Sequence, residues 1–150
     1  MAEMHRGLDL ALREGPAASI GVDTWGVDFG LLDARGSLLG NPYHYRDSRT
    51  DGMLKAAFEI VPRAEIYGQT GIQFMQLNSL YQLFSLVQVH DPALLSAQTF
   101  LNMPDLFNFL LTGEKASEFT ITTTTQVDVT LILDGEPTAT QVVPVQDTLA

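Results

Sequence analysis

The apolar positions near the start of the chain, Met4, Leu8, Leu10, Ala11 and Leu12, fall at roughly helical spacing and stop at Gly15-Pro16, which predicts the end of an amphipathic helix. From Ile20 the period changes. Ile20, Val22 and Thr24, then Val27, Phe29 and Leu31, make two β-favouring runs broken at Trp25-Gly26, and Ala34-Arg35-Gly36 turns the chain toward Leu38 and Leu39. The expected structure is one strand with an internal irregularity, followed by a hairpin. Beyond Pro42 the pattern is helical, with Met53, Leu54, Ala57 and Phe58 forming an apolar face behind the capping candidates Ser48, Thr50 and Asp51. A second short helix starts near Pro62 and ends before Gly71, a residue suited to a left-handed cap. The longest helix is expected from about Asn78 to Val89. Leu80, Tyr81, Phe84 and Val87 make one stripe there, and Leu83 and Leu86 widen it, which implies burial on more than one side.

Further on, Asp91-Pro92 reads as an N-cap and first-turn pair opening a short helix over 93–97, and Thr99-Phe100-Leu101 as a short buried strand. Pro104 and Asp105 begin another helix that ends at Thr112-Gly113. In the tail, Val127, Val129, Leu131 and Leu133 alternate with Gln126, Asp128, Thr130 and Ile132, and Asp134-Gly135 supplies a hairpin turn, so two closing strands are expected.

At 150 residues, 45% hydrophobic and 17% charged, the chain can bury one core and reads as one domain or a large piece of one. A formal net charge of -10 with only eight Lys and Arg argues against nucleic acid or an anionic membrane as partner, because both need clustered cations to replace counterions. The absence of cysteine excludes a disulfide framework, a thiolate zinc site and a cysteine nucleophile, and fits a reducing cytoplasm. The N-terminus has no apolar run behind its charges, so neither a signal peptide nor a membrane anchor is expected. No repeat or linker divides the chain.

Three constellations could carry chemistry. In Asp23-Thr24-Trp25-Gly26-Val27-Asp28-Phe29 a glycine interrupts an apolar strand beside the single tryptophan and between two carboxylates. A glycine there lets a ligand approach the backbone, and a sugar would suit the place: its C-H face meets an aromatic ring and its hydroxyls meet amides and carboxylates. The alternative is a β-bulge beside a core tryptophan. In Tyr43-His44-Tyr45-Arg46-Asp47-Ser48-Arg49 two arginines could fork onto an oxyanion, or else form surface ion pairs while Asp47 and Ser48 cap a helix. In Gly71-Ile72-Gln73-Phe74-Met75-Gln76-Leu77-Asn78 the amides of Gln73 and Asn78 could serve a polyol, or Asn78 could be an N-cap and the glutamines solvent-facing. No phosphate loop, dinucleotide fingerprint or metal-ligand spacing is present.

Taken together, the run from Ser19 to Asp33, the segment His44-Tyr45-Arg46-Asp47-Ser48-Arg49-Thr50-Asp51-Gly52, Thr70-Gly71-Ile72-Gln73-Phe74, Leu80-Tyr81-Gln82-Leu83 and Pro104-Asp105-Leu106 through Leu111-Thr112-Gly113 resemble, in order and spacing, the FGGY carbohydrate kinases and in particular their rhamnulokinase branch. The resemblance covers about Ser19 to Gln126. It implies an α/β fold, part of an actin-like ATPase (ribonuclease H-like) lobe, with residues 1–126 as a partial N-terminal domain and 127–150 as a divergent tail.

The resemblance also implies a kinase of L-rhamnulose or a related ketose, with Gly26 contacting the sugar and Trp25 and Asn78 as weaker candidates for the same pocket. The family uses ATP and Mg2+, and its catalytic carboxylate lies in a His-Asp-Thr segment that this chain does not contain. The opening Asp-x-Gly phosphate hairpin is not in the chain either. The expectations are therefore no catalytic or metal-binding residue here, no tight binding of ATP or Mg2+, and no phosphorylation by this chain alone. A noncatalytic binding module reusing the lobe is the alternative. An unpaired edge on the strand through Val22 would favour self-association.

Overall fold

The computed structural model describes residues 1–118, 120, 121 and 125. The tail hairpin expected after Gln126 lies outside these residues. The chain opens with helix α1, Ala2–Arg13, as the periodicity predicts, and at 12 residues it is the longest helix described. None of its residues is buried, and Leu10 and Leu12 remain about half exposed.

The strand expected from Ile20 forms only at its far end, as β1, Phe29–Leu32. A strand exists through its ladder, and among the described residues only this end finds one. Strand β2, Thr99–Asn102, lies antiparallel to it in the register Phe29 to Asn102 through Leu32 to Thr99, and the Met103 amide extends the pairing by donating to the Asp28 carbonyl at 3.0 Å. Ile20 is 58% exposed, so the stretch around Val22 makes no strand and the unpaired edge anticipated there does not form. The hairpin beyond β1 does form. Asp33 Oδ1 accepts the amides of Arg35 and Ser37, both at 2.8 Å, Gly36 takes the left-handed φ of 80° that the turn needs, and the Leu39 amide returns to the Leu31 carbonyl at 2.9 Å.

Asp47 caps a 3-10 turn, Ser48–Thr50, by accepting the Arg49 amide at 2.9 Å. Helix α2, Met53–Ile60, then starts from a left-handed Gly52 with no side-chain cap, so capping sits one turn earlier than Ser48, Thr50 and Asp51 predict. Helix α3, Arg63–Thr70, ends on Gly71 at φ 64°, as expected. Helix α4, Ser79–Gln88, is followed by α5, Pro92–Ser96, whose cap Asp91 accepts the Ala93 amide at 2.8 Å. Helix α6, Met103–Thr112, ends at Gly113.

The two faces of the small sheet bury separate clusters. Phe29, Leu31, Leu86 and Ala97 gather on one side, where Leu83, Leu94 and Phe100 pack against them. Leu32, Leu101 and Leu106 gather on the other with Phe109 and Leu110. A Cβ on Gly30 would stand 2.7 Å from Leu106 Cδ2, so the glycine is what lets α6 lie this close to β1. On α4 the buried set differs from the predicted apolar stripe. Ser79, Gln82 and Ser85 are buried with Tyr81 and Leu86, whereas Val87 is 37% exposed.

Candidate functional site

The turn that precedes β1 and the loop 43–49 meet at the indole of Trp25. Its Nε1 donates to Asp28 Oδ2, which fixes the ring, and the edge of the ring meets His44 with centroids 5.7 Å apart. His44 in turn lies 4.3 Å from the Tyr45 ring. Trp25 stays 53% exposed, so a face of the indole is open to solvent. Asp28 is the reverse: it is 2% exposed, and its Oδ1 has no hydrogen-bond partner among the described residues.

Gly26 adjoins this ring. A Cβ there would stand 3.0 Å from Ile121 Cγ1, so the glycine has a packing reason as well as the backbone access read from sequence. Ile121 is itself held in place. The Asp105 carboxylate accepts the Glu118 amide at 3.3 Å through each oxygen, and Glu118 accepts the amides of Thr120 and Ile121, both at 3.0 Å. Asp105 is 4% exposed, and burial first, with the nearby Glu118 charge adding to it, pushes its carboxyl up to about 6 against the opposing pull of the Glu118 amide.

Asn78, the third residue singled out from sequence, is fully buried; its Oδ1 accepts the Met75 amide at 2.7 Å and its backbone begins α4. It stands below the Trp25-Gly26 turn because α4 is fastened there. Ser79 Oγ donates to the Val27 carbonyl at 2.5 Å, and Gln82 Nε2 donates to the same carbonyl and to Leu77 O, at 3.0 Å each. Of the other amides in that stretch, Gln76 donates to Thr50 Oγ1 at 3.2 Å and Asp51 Oδ1 at 2.8 Å, while Gln73 is exposed.

Neither arginine of the loop makes an ion pair among the described residues, where Arg6 with Glu3 and Arg35 with Asp33 do. Arg46 lies over the Tyr45 ring at 5.3 Å. Arg49 Nη2 donates to Gln82 Oε1 at 2.7 Å, and the Tyr43 ring covers its guanidinium at 4.1 Å. Burial holds its pKa below the usual value, with Asp47 the strongest charge opposing that shift. Reading the sequence missed the Arg49–Gln82 bond because the two lie 33 positions apart, on a loop and a helix whose contact no local pattern encodes.

Among known proteins, residues 8–133 match the N-terminal domain of the FGGY family of carbohydrate kinases. A rhamnulokinase from Bacteroides thetaiotaomicron is 50% identical over 122 residues, 81% of this chain and 25% of that protein. Rhamnulokinases from Enterobacter sp. (strain 638) and Halalkalibacterium halodurans are 46% and 44% identical over 127 residues, 84% of this chain and 26% and 27% of theirs. The chain thus spans about a quarter of the length of these relatives. The solved structures of a ligand-bound xylulose kinase and a gluconate kinase, both from Lactobacillus acidophilus, each align with a TM-score of 0.69 at 22% identity, over 79% of this chain and 24% of theirs, a likeness of fold. With a family match across most of its length and relatives at these identities, the chain belongs to the FGGY family of carbohydrate kinases and has the α/β fold of the N-terminal part of these actin-like ATPases.

Proposed function

We propose that the chain forms part of the sugar-side lobe of a cytoplasmic, ATP-dependent kinase that converts L-rhamnulose to L-rhamnulose 1-phosphate, and that phosphoryl transfer needs residues beyond this chain. The observation that carries the reading is the Trp25-Gly26 turn: a half-exposed indole anchored by a buried carboxylate stands beside a residue with no side chain. In this arrangement the Gly26 backbone contacts the ketose, the open face of Trp25 takes its C-H face, and Asn78 supports the pocket from below by holding the turn at Met75. The rhamnulokinase relatives support the choice of sugar. We further propose the division at residue 126, with 127–150 as a divergent tail, although the family match itself runs to residue 133.

When bound, ATP with Mg2+ would supply the phosphoryl group and neutralise its charge. Among the described residues no three His, Cys, Asp or Glu side chains group to hold a metal ion. Among them, too, no helix is long and apolar enough to cross a membrane. The chain's own residues bind and orient the sugar.

Titration calorimetry of the purified chain with L-rhamnulose tests the reading. Binding at millimolar sugar or tighter, weakened at least tenfold by Trp25→Ala, is expected. A flat titration at millimolar sugar removes the proposed sugar wall, and rhamnulose-dependent ADP release by this chain would refute the need for residues beyond it.

A further inference from the structure

Arg49 lines a pocket of about 190 Å³ whose apolar lining includes Phe29, Leu31 and Leu86 and whose polar lining includes Tyr43 and Asp91. Arg49 is an unusual wall residue. Its Nη2 is taken up by Gln82, but Nε and Nη1 are buried and have no hydrogen-bond partner among the described residues. No carboxylate among the described residues comes within ion-pair distance of it, although Asp47, Asp28 and Asp91 lie near enough to stabilise its charge. Each unmet buried N-H is a desolvation cost in the free protein. A ligand oxygen that accepts from it gains what the empty state lacks.

The kind of oxygen follows from the surroundings. Three neighbouring carboxylates already oppose the cation's desolvation, so an added anion would meet net negative charge. The N-H groups at Nε and Nη1 point to different sides of the guanidinium, so one planar carboxylate cannot satisfy both, whereas two well-separated hydroxyls of one polyol can. The apolar lining accepts the C-H face of the same molecule. The Tyr43 ring covers the guanidinium at 4.1 Å yet is itself 50% exposed, so it can swing outward to admit a ligand.

We propose that Arg49 is a specificity-determining contact for the sugar, donating from Nε and Nη1 to two hydroxyl oxygens once Tyr43 moves aside. This rests on the sugar-binding reading above and deepens it. The loop that runs from Tyr43 to Arg49 carries both the Tyr43 and Arg49 of this pocket and the His44 that meets Trp25.

The test is calorimetry of the 150-residue chain with L-rhamnulose, comparing wild type, Arg49→Met, Arg49→Lys and Trp25→Ala, together with the NMR signal of the Arg49 Nε-H in the wild type. Arg49→Met is expected to weaken binding at least tenfold and Arg49→Lys to recover part of the loss, with the Nε-H signal shifting on saturation with sugar. If Trp25→Ala weakens binding but Arg49→Met does not, or if the Nε-H signal is unmoved by bound sugar, the role of Arg49 is overturned while the sugar site stands. If Arg49→Met does not fold, the Nε-H signal decides alone. Wild type that gives no heat overturns both readings.

Discussion

Replacing Asp105 with asparagine should stabilise the protein above pH 6 and leave it unchanged or slightly weakened near pH 4. The folded carboxyl titrates at about 6 against 3.8 for the free group. Because the folded value is raised, the stability this group contributes is fully present below pH 3.8 and is lost as pH rises through about 6. Two pK units at about 1.36 kcal/mol each give roughly 3 kcal/mol of destabilisation by the ionised form at pH 8. Asparagine keeps an oxygen to accept the Glu118 amide but adds an NH2 group that needs a partner, which offsets about 1 kcal/mol. The net gain is then about 2 kcal/mol at pH 8. An opposing effect is present: Asp105 stands in the first turn of α6, where the helix dipole favours a negative charge by about 0.3–1 kcal/mol. That is smaller than the desolvation it works against. Urea unfolding of both proteins, followed by far-UV circular dichroism at half-unit steps from pH 4 to 8, gives the difference as a curve. It should rise between about pH 4 and 6 and level off above that. A variant less stable than wild type at pH 8, or a gap independent of pH, would show that the ionised carboxylate is a net anchor for Glu118.

Two further substitutions probe the packing beneath the site. Gly30→Ala should destabilise by about 1–3 kcal/mol, since its Cβ meets Leu106 Cδ2 at 2.7 Å and Leu38 Cδ1 at 3.0 Å; unchanged thermal unfolding would mean that α6 is not seated as described. Tyr81→Phe should be neutral or stabilising by up to about 1 kcal/mol, because the Tyr81 hydroxyl is buried without a partner among the described residues. In the wild type this phenol is pushed up to about 12 by burial, so an ultraviolet titration should show a component ionising near 12 that Tyr81→Phe removes, and its absence contradicts that burial.

The helices were legible because their signals are local. Gly71 and Gly113 at left-handed φ, Asp91 on the amides of α5 and the turn at Gly36 each depend on a few neighbouring residues. Ile20 to Leu32 was read too long because β propensity says what fits a ladder, not whether a partner arrives, and only Phe29–Leu32 meets β2. The stripe on α4 was misjudged for a related reason: Ser79 and Gln82 are buried because a carbonyl at Val27 awaits them, and hydrophobic periodicity is blind to such a demand. Trp25 and Gly26 stand out in the sequence as a glycine beside the single tryptophan, but Arg49 reads only as an oxyanion fork or a surface ion-pair partner, since nothing in Asp47-Ser48-Arg49 announces Gln82 or the Tyr43 ring above it.

The pair of hydrogen bonds accepted by the Val27 carbonyl also sets a timetable. Its two donors come 52 and 55 residues later in the chain. During synthesis at about 5–20 residues per second, the Trp25-Gly26 turn emerges seconds before Ser79 and Gln82 can fasten it, and contacts of long sequence separation form late in any case. For that interval the indole and its neighbours are an exposed apolar segment without their scaffold, a stage at which a chaperone can bind and a protease can cut.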